Sequence, residues 1–505
     1  MAHKVPMVLV VTSVALALAS GARGQTVVPA TPPAAQTTGA QAASPGASTD
    51  SLTAAQQALT GGQYKLAQSL FEAAIARDYQ NAEAHFGLGL ALFRQNDLTG
   101  ARFEFGQLIK LAPERFEGLY NLGVIAAKQG QYDEALADYQ KALELAQGKA
   151  SPAPLRQLYD ALAAEQTRRA AWPELVKTLT DATALSPDDL SLSLRLADAT
   201  LRAGDADSAL PLAYGVLNKD PSSVPAALLV ADIYAGQGLP ERAARVLYDA
   251  LGRQSGAAAR TQLLTRQGLI LAAAGKNKDA LKSLQDAVKA SPSSAEAQLA
   301  LAGVCASSGD KLGAVAAYHA AVKADPSNAA SRVQLAGAEL AAGQTAQAAG
   351  DAALALKAAK DAPTRARAQY ILGVTAYAQG RYAQARSQLQ ASAQVLPDAG
   401  TSLWLGLSSY ALKDYPAAVV ALQASVQASP SLTARANLGA ALLAAGRYQE
   451  AQATLQGVVG DAPKNALAWY QLGWAARNLG QNSQARSAFK TALTLGYAPA
   501  REALK

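Results

Sequence analysis

Small and large apolar residues recur along the chain with a period of about 34 residues that begins near residue 48. Once in each period a position is held by glycine or alanine, and an alanine follows twelve residues later in twelve of thirteen periods. Two antiparallel helices approach closely only where side chains are small, so the pattern predicts one helical hairpin per period. The first small residues are Ala55, Gly89, Gly123, Ala163, Ala197, Ala231, Gly268, Ala302, Ala336, Gly373, Gly406, Gly439 and Gly473.

Three further positions complete each period. The predicted turn between the two helices carries glycine in ten of thirteen periods, and Asn96, Ala170 and Lys413 in the others. Glycine suits the left-handed residue that ends many helices. A large apolar residue such as Phe489 lies four residues after the second alanine, where we expect it to fill the gap between neighbouring hairpins. Eight periods close with a proline, which stops the second helix.

This spacing of small, aromatic, alanine and proline positions resembles the tetratricopeptide repeat family over residues 48–499. The period that matches best contains Trp469, Leu472, Gly473, Gly480, Ala485, Phe489 and Ala492. The resemblance implies an all-α fold, an α-solenoid of about thirteen hairpins wound as a right-handed superhelix. It also implies a concave groove lined by the first helix of each hairpin.

Three insertions interrupt the period, near Ala150 to Leu155, near Ala258 and near Pro363. We expect them to be bends that separate blocks of three, three, three and four hairpins. Because a hairpin is too small to bury its own core, stacking on its neighbours must supply the remainder. The predicted segments are hairpins 1–3 in 48–149, hairpins 4–6 in 156–257, hairpins 7–9 in 261–362, hairpins 10–13 in 366–499, and a cap or tail in 500–505.

The first residues have the features of an export signal. Lys4 precedes an apolar run from Met7 to Ala19, and small residues follow. We therefore predict a signal peptide in 1–24 and a periplasmic or extracellular protein with no transmembrane segment in the mature chain. An uncleaved anchor is the alternative. Residues 25–47, rich in Pro, Ala, Thr and Gln, are predicted to be a flexible linker.

The chain supplies few groups for catalysis or metal binding. Beyond the predicted signal it has two histidines, His85 and His319, about seven hairpins apart, and one cysteine, Cys305, at a packing position. We expect no catalytic site, metal or cofactor, and therefore no enzyme. The net charge of +7 could suggest nucleic acid, but export argues against that partner, and we take the charges to be spread along the chain.

One candidate groove lies in the N-terminal hairpins. Cations occur at the same place near the end of the first helix in four successive hairpins, beside aromatic residues and one asparagine, which suits an acidic peptide or a chain terminus. The alternative is a solvated basic face that the helix macrodipole favours. The predicted groove residues are Phe86, Phe93, Arg94, Tyr120, Asn121, Lys128, Arg168 and Arg202.

A second candidate groove lies in the C-terminal hairpins, whose first helices carry aromatic residues and side-chain amides. Such aromatics either pack in the core or anchor a ligand. The predicted residues are Tyr370, Tyr377, Tyr410, Asn437, Tyr470 and Trp474, with Trp404 and Gln471 nearby.

These features favour an exported scaffold that binds peptide segments or helices of envelope proteins. Two alternatives remain at this point: a regulatory subunit of an envelope enzyme, secretion machine or polysaccharide export machine, and a structural spacer without a specific ligand. The sequence leaves the oligomeric state open.

Overall fold

The computed structural model describes residues 46–504, which contain 27 helices and no strand. The first 26 helices pair in chain order into hairpins 1 to 13, and each hairpin has an odd-numbered first helix and an even-numbered second helix. The predicted α-solenoid of about thirteen hairpins is thereby confirmed. The predicted signal peptide, and the predicted linker up to residue 45, lie outside the described residues.

The chain divides into two compact units, an N-terminal unit that ends at Arg253 and a C-terminal unit that begins at Gln254. The N-terminal unit consists of α1 (Gly46–Thr60), α2 (Tyr64–Arg77), α3 (Ala82–Arg94), α4 (Leu98–Leu111), α5 (Phe116–Lys128), α6 (Tyr132–Ala146), α7 (Pro152–Arg168), α8 (Trp172–Leu185), α9 (Leu190–Arg202), α10 (Ala206–Lys219), α11 (Val224–Gly236) and α12 (Pro240–Leu251).

The C-terminal unit consists of fourteen hairpin helices and a short final one. They are α13 (Ala257–Ala273), α14 (Asn277–Ala290), α15 (Ala295–Ser307), α16 (Lys311–Ala324), α17 (Ala329–Ala341), α18 (Thr345–Ala358), α19 (Ala362–Ala378), α20 (Tyr382–Ala393), α21 (Ala399–Ala411), α22 (Tyr415–Ala428), α23 (Leu432–Ala444), α24 (Tyr448–Asp461), α25 (Ala466–Asn478), α26 (Asn482–Thr494) and α27 (Ala500–Ala503).

All thirteen predicted turn residues have a positive φ. Ten are glycines, and the other three are Asn96 at 65°, Ala170 at 54° and Lys413 at 64°. Residues other than glycine and asparagine rarely adopt this backbone conformation, so the backbone is strained at Ala170 and Lys413. The predicted position of every turn is confirmed.

The small residue of each first helix lies where the two helices of a hairpin cross. A methyl group added at Gly473 would lie 2.5 Å from the ring of Phe489, and one at Gly123 would lie 2.6 Å from the ring of Tyr139. The large apolar residue therefore packs on the crossing residue of its own hairpin. Phe71 of hairpin 1 also packs against Gly87 of hairpin 2, so the expected contact with the neighbouring hairpin is present there as well.

The three insertions in the repeat are helical. They lie at or beside the start of α7, α13 and α19, each 17 residues long, whereas most first helices have 13 residues. Pro152 occupies the first turn of α7, a position where proline is well tolerated because its missing N–H would be unbonded there in any case. The extra residues lengthen the first helix of hairpins 4, 7 and 10, and the expected bends at these places stay a prediction.

The core runs along each unit as a series of local clusters. One cluster joins Tyr120, Tyr139 and Leu158, which come from three consecutive helices, α5, α6 and α7. Each hairpin thus completes the core of its neighbour, as expected for a repeat protein. At the C-terminal end α27 buries Ala500 and Ala503 against hairpin 13, and Arg477 donates a hydrogen bond of 3.1 Å to the carbonyl of Ala503.

Candidate functional site

The first helices form one layer within each unit. Several successive first helices touch, including α1 and α3, α9 and α11, α17 and α19, and α23 and α25. No comparable contact joins successive second helices in the described part of the chain. The first helices are therefore closer together than the second helices, which makes their layer the inner side of each unit.

The four cations of the predicted N-terminal groove lie at the C-terminal ends of their helices. Arg94, Lys128, Arg168 and Arg202 are the last residues of α3, α5, α7 and α9, and we call them the basic row. Cations at helix C-termini interact favourably with the macrodipole. Their regular recurrence thus has a structural reason independent of any ligand.

Three members of the basic row cover an aromatic ring of the preceding hairpin. The Lys128 ammonium lies 5.1 Å from the centroid of the Phe93 ring. The Arg168 guanidinium carbon lies 4.2 Å from the centroid of Tyr132, and that of Arg202 lies 5.2 Å from the ring of Trp172. Such cation–π contacts stabilise the packing of neighbouring hairpins.

The same three side chains also have polar partners inside the chain. Lys128 donates a hydrogen bond of 2.8 Å to Asn96 Oδ1. Arg168 pairs with Glu165 at 3.1 Å, and Arg202 pairs with Asp198 at 2.7 Å. Arg94 is exposed. Three of the four cations predicted to bind a ligand therefore already have polar partners within the chain.

Phe86, Tyr120 and Asn121 are buried, each with 1% of its surface exposed. The Phe86 ring packs 6.2 Å from that of Phe105, and burial raises the pKa of Tyr120 to about 12. The Asn121 amide donates to the carbonyl of Glu117 within its own helix. These three side chains belong to the core, and their burial does not fit a role as ligand anchors.

A shallow recess beside Arg168 is closed by ion pairs. Tyr132, Asp133 and Glu134 line it together with Arg168 and Arg169. Asp133 pairs with Arg169, and Glu134 pairs with Arg102. The recess therefore offers little unpaired charge to an acidic ligand.

Aromatic residues of the C-terminal unit remain partly exposed. The ring centroid of Tyr377, on α19, lies 5.2 Å from that of Trp404 on α21. Tyr370 is half-buried beside them, and Tyr410 is 40% exposed with its ring 5.5 Å from that of Tyr415. We call Tyr370, Tyr377, Trp404 and Tyr410 the aromatic surface.

The last two predicted aromatic residues, Tyr470 and Trp474, pack against the core of hairpin 13. The Tyr470 ring lies 4.9 Å from that of Tyr497 and 5.8 Å from that of Phe489, and Trp474 lies 5.7 Å from Phe489. All of these rings pack on the final helices. Asn437, on α23, is partly exposed and donates its amide to the carbonyl of Thr433 one turn earlier.

The two units have opposite charge. Residues 46–253 contain 19 basic and 25 acidic residues, whereas residues 254–505 contain 24 basic and 13 acidic residues. The net charges are −6 and +11, so charged residues are spread along the chain as expected, but the basic excess is confined to residues 254–505 within this range. The first helices differ as well: α21 has no charged residue, and α23 and α25 have only Arg435 and Arg477.

The groups considered for chemistry lie apart. His85 is buried, with Nδ1 at 2.6 Å from Glu104 and Nε2 at 3.0 Å from the carbonyl of Tyr79, and His319 is exposed. Cys305 is buried, and burial raises the pKa of its thiol. The described residues contain no group of three metal-ligating side chains. No helix in the same range has the length and apolar character needed to cross a membrane.

Comparisons with known proteins agree with this architecture. Profiles of the tetratricopeptide repeat match residues 52–113, 116–148, 265–329, 333–402, 375–432 and 442–501. A 77-residue segment is 38% identical to the probable UDP-N-acetylglucosamine–peptide N-acetylglucosaminyltransferase SPINDLY of Arabidopsis thaliana. That match covers 15% of this chain and only 8% of the length of the relative.

Three solved structures resemble the chain. The complex of Naa15/Naa10 bound to HypK-THB has a TM-score of 0.42 and 14% identity, over 90% of this chain and 76% of that one. The APC/C hetero-tetramer Cut9–Hcn1 has a TM-score of 0.38 and 15% identity, over 91% and 96%. YrrB, described as a TPR protein with an unusual peptide-binding site, has a TM-score of 0.32 and 21% identity, over 36% and 92%.

Proposed function

Because this chain belongs to the tetratricopeptide repeat family, we propose that it is an exported scaffold that binds an extended segment of a partner protein along the first helices of its C-terminal unit. The aromatic surface is the observation that supports this site. Tyr377 and Trp404 bring rings from neighbouring hairpins to 5.2 Å of each other, and both side chains remain partly exposed. Large, rigid rings of this kind commonly anchor protein ligands.

The residues around the aromatic surface favour an extended segment. Asn437 and Gln471 are partly exposed on the next first helices, where amide side chains can bond to a peptide backbone. Because α21 is uncharged and α23 and α25 have one cation each, apolar contact dominates there. Arg365 and Arg367 are exposed on α19 and would attract acidic residues at that end of the ligand.

We therefore propose that an acidic ligand binds the C-terminal unit and not the N-terminal unit. The N-terminal unit has a net charge of −6 and holds most of its basic row in internal contacts. The C-terminal unit, at +11, attracts anionic partners over a longer range.

Export is part of the proposal and rests on Lys4, the apolar run from Met7 to Ala19 and the small residues after it. We expect the mature chain to begin between Ser20 and Gln25. N-terminal sequencing of protein from the extracytoplasmic fraction tests this. A membrane-bound product that retains Met1 would instead identify the segment as an anchor.

Site-specific photo-crosslinking tests the binding surface. A photoreactive residue replaces Tyr410, and a matched control replaces Val420, which is 67% exposed on the second helix of the same hairpin. We expect the Tyr410 probe, and not the Val420 probe, to give one reproducible crosslinked partner in cells. A single enzyme as that partner would favour the role of regulatory subunit, and no specific adduct at Tyr410 would favour a spacer.

A further inference from the structure

Second helices in the two units carry oppositely charged rows at exposed positions. In the N-terminal unit the first turns of α8, α10 and α12 contain Glu174, Asp207 and Glu241, spaced 33 and 34 residues apart. All three side chains are exposed. We call them the acidic row.

A row of lysines occupies the matching part of the C-terminal unit. The last turns of α14, α16 and α18 contain Lys289, Lys323 and Lys357, each 34 residues from the next. All three are exposed, and Lys289 also pairs with Asp286 at 3.1 Å. We call them the lysine row.

The two rows match in spacing because the same repeat sets both. Each row places one charge on each of three consecutive hairpins, 4 to 6 in one case and 7 to 9 in the other. Stacked hairpins advance by a similar step, so three carboxylates and three ammonium groups can meet in register. The acidic row lies at the start of its helices, and the lysine row lies at the end of its helices.

The net charge of each unit has the same sign as its row. In the N-terminal unit arginines such as Arg102, Arg156 and Arg195 are paired internally, and acidic residues remain in excess. In the C-terminal unit basic residues outnumber acidic ones by 24 to 13. Surfaces with opposite net charge attract each other, and two rows of the same charge repel. An acidic row therefore pairs with a lysine row and not with a second acidic row.

We propose that the protein associates with a second copy of itself, the acidic row of one copy against the lysine row of the next. The contact joins two different surfaces of the same chain, so after one contact one copy keeps its lysine row unused and the other keeps its acidic row unused. Two copies close into a dimer where both pairs of rows meet at once, and otherwise further copies add to form rings or open chains. Because exposed ion pairs are screened by salt, the association is strongest at low ionic strength.

Sedimentation of the full chain tests the proposal. We expect the weight-average mass to rise with protein concentration at about 0.02 M salt, and the association constant to fall at least about tenfold at about 0.5 M salt. One charge-reversal variant carries Lys289→Glu, Lys323→Glu and Lys357→Glu. The other carries Glu174→Lys, Asp207→Lys and Glu241→Lys.

Each variant alone should remain monomeric, because both of its rows then have the same sign. An equimolar mixture of the two should associate again, because each reversed row meets a complementary row on the other variant. A control with Lys311→Glu, Lys413→Glu and Lys464→Glu has the same net charge as the lysine-row variant and should still associate. Circular dichroism checks that every variant keeps its helical content.

Three results would overturn the proposal. The first is a wild-type protein that stays monomeric at both salt concentrations. The second is a mixture of the two variants that remains monomeric although each variant is folded. The third is a control variant that loses association as fully as the lysine-row variant, which would reduce the effect to net charge.

Discussion

The N-terminal and C-terminal units are built from the same hairpin but present different inner surfaces. In the N-terminal unit three of the six first helices end in a cation that covers an aromatic ring of the preceding hairpin, as Arg168 covers Tyr132 at 4.2 Å. In the C-terminal unit the aromatic rings are themselves partly exposed, as Tyr410 is at 40%. The two inner surfaces differ in charge: most of the basic row lies in internal contacts in the N-terminal unit, whereas α21 is uncharged and α23 and α25 have one cation each in the C-terminal unit.

The comparison separates what the repeat determines from what it leaves free. The crossing glycines and the turns are shared by both units, since they are needed wherever two helices approach and reverse. The residues at the ends of the first helices are not needed for that geometry. They differ between the units, and we propose that binding specificity lies there.

The largest expected effect tests the shared scaffold. A methyl group added at Gly123 would lie 2.6 Å from Tyr139, and one at Gly406 would lie 2.5 Å from Leu422. We expect Gly123→Ala and Gly406→Ala each to lower the free energy of unfolding by about 1–3 kcal/mol through overpacking. Thermal melting followed by circular dichroism measures the change.

Gly215→Ala and Gly337→Ala are matched controls, one in each unit, because nothing lies within 4 Å of the added methyl group. They should leave the melting temperature unchanged or raise it slightly, since alanine favours the helix. Equal behaviour of crossing and control variants would mean that the helices do not cross at these glycines.

The next effect distinguishes two buried carboxyl groups. Glu165 of the N-terminal unit pairs with Arg168, whereas Oε2 of Glu339 in the C-terminal unit has no hydrogen-bond partner among the described residues. Burial, together with the nearby charge of Asp351, raises the pKa of Glu339 from its ordinary 4.5 to about 7. The folded chain therefore holds a proton that the unfolded chain releases, and this group costs stability as the pH rises from 4.5 to about 7.

Glu339→Gln should therefore raise the free energy of unfolding by about 1 kcal/mol at about pH 8 and have little effect at about pH 4. Glu165→Gln should lower it at about pH 8, because Arg168 loses its ionic partner. Chemical denaturation at both pH values measures the differences. A Glu339→Gln variant whose stability differs from wild type equally at both pH values would show that this carboxyl group does not titrate abnormally.

A smaller effect concerns the strained turns, one in each unit. Ala170 and Lys413 have positive φ values of 54° and 64°. Ala170→Gly and Lys413→Gly should each raise the free energy of unfolding by up to about 1 kcal/mol, because glycine removes the steric cost of the left-handed conformation. The same substitution at Ala203, whose φ is −70°, should not stabilise the protein. Denaturation midpoints that fall in both turn variants would contradict the assigned turn geometry.

The smallest effect is expected from the basic row. Changing Arg94, Lys128, Arg168 and Arg202 together to glutamine removes exposed or partly exposed charges and cation–π contacts worth about 0.5–1 kcal/mol each at most. We expect slight destabilisation and nearly unchanged partner capture. Glutamine substitutions at four exposed lysines outside both rows, Lys278, Lys282, Lys311 and Lys464, control for net charge. A large loss of capture confined to the basic-row variant would return the binding site to the N-terminal unit.

The fold was predictable because the repeat constrains the backbone thirteen times over. Even Ala170 and Lys413, poor residues for a left-handed turn, were located by their distance from the crossing residues. The lengths of α7, α13 and α19 were less predictable, because an insertion with proline can either break a helix or begin a longer one.

The candidate site was predicted only in part, because a repeat position identifies a helix but not the exposure of each side chain. Phe86 and Tyr120 lie three residues before Gly89 and Gly123, on the face that crosses the second helix, and this spacing does indicate burial. The pairing of Arg202 with Asp198 follows from a spacing of four. The opposite charges of the two units were hidden by the total of +7.

The most direct test of the central claim compares two variants against the partner recovered by crosslinking at Tyr410. One carries Tyr377→Ala, Trp404→Ala and Tyr410→Ala, and the other carries the four glutamine substitutions of the basic row. Affinity is measured by titration with both variants confirmed as helical. We predict that the aromatic variant loses at least about a hundredfold in affinity, as expected when central aromatic anchors are removed, while the basic-row variant stays within about threefold of wild type. The reverse order of losses would contradict the assignment of the binding surface to the C-terminal unit.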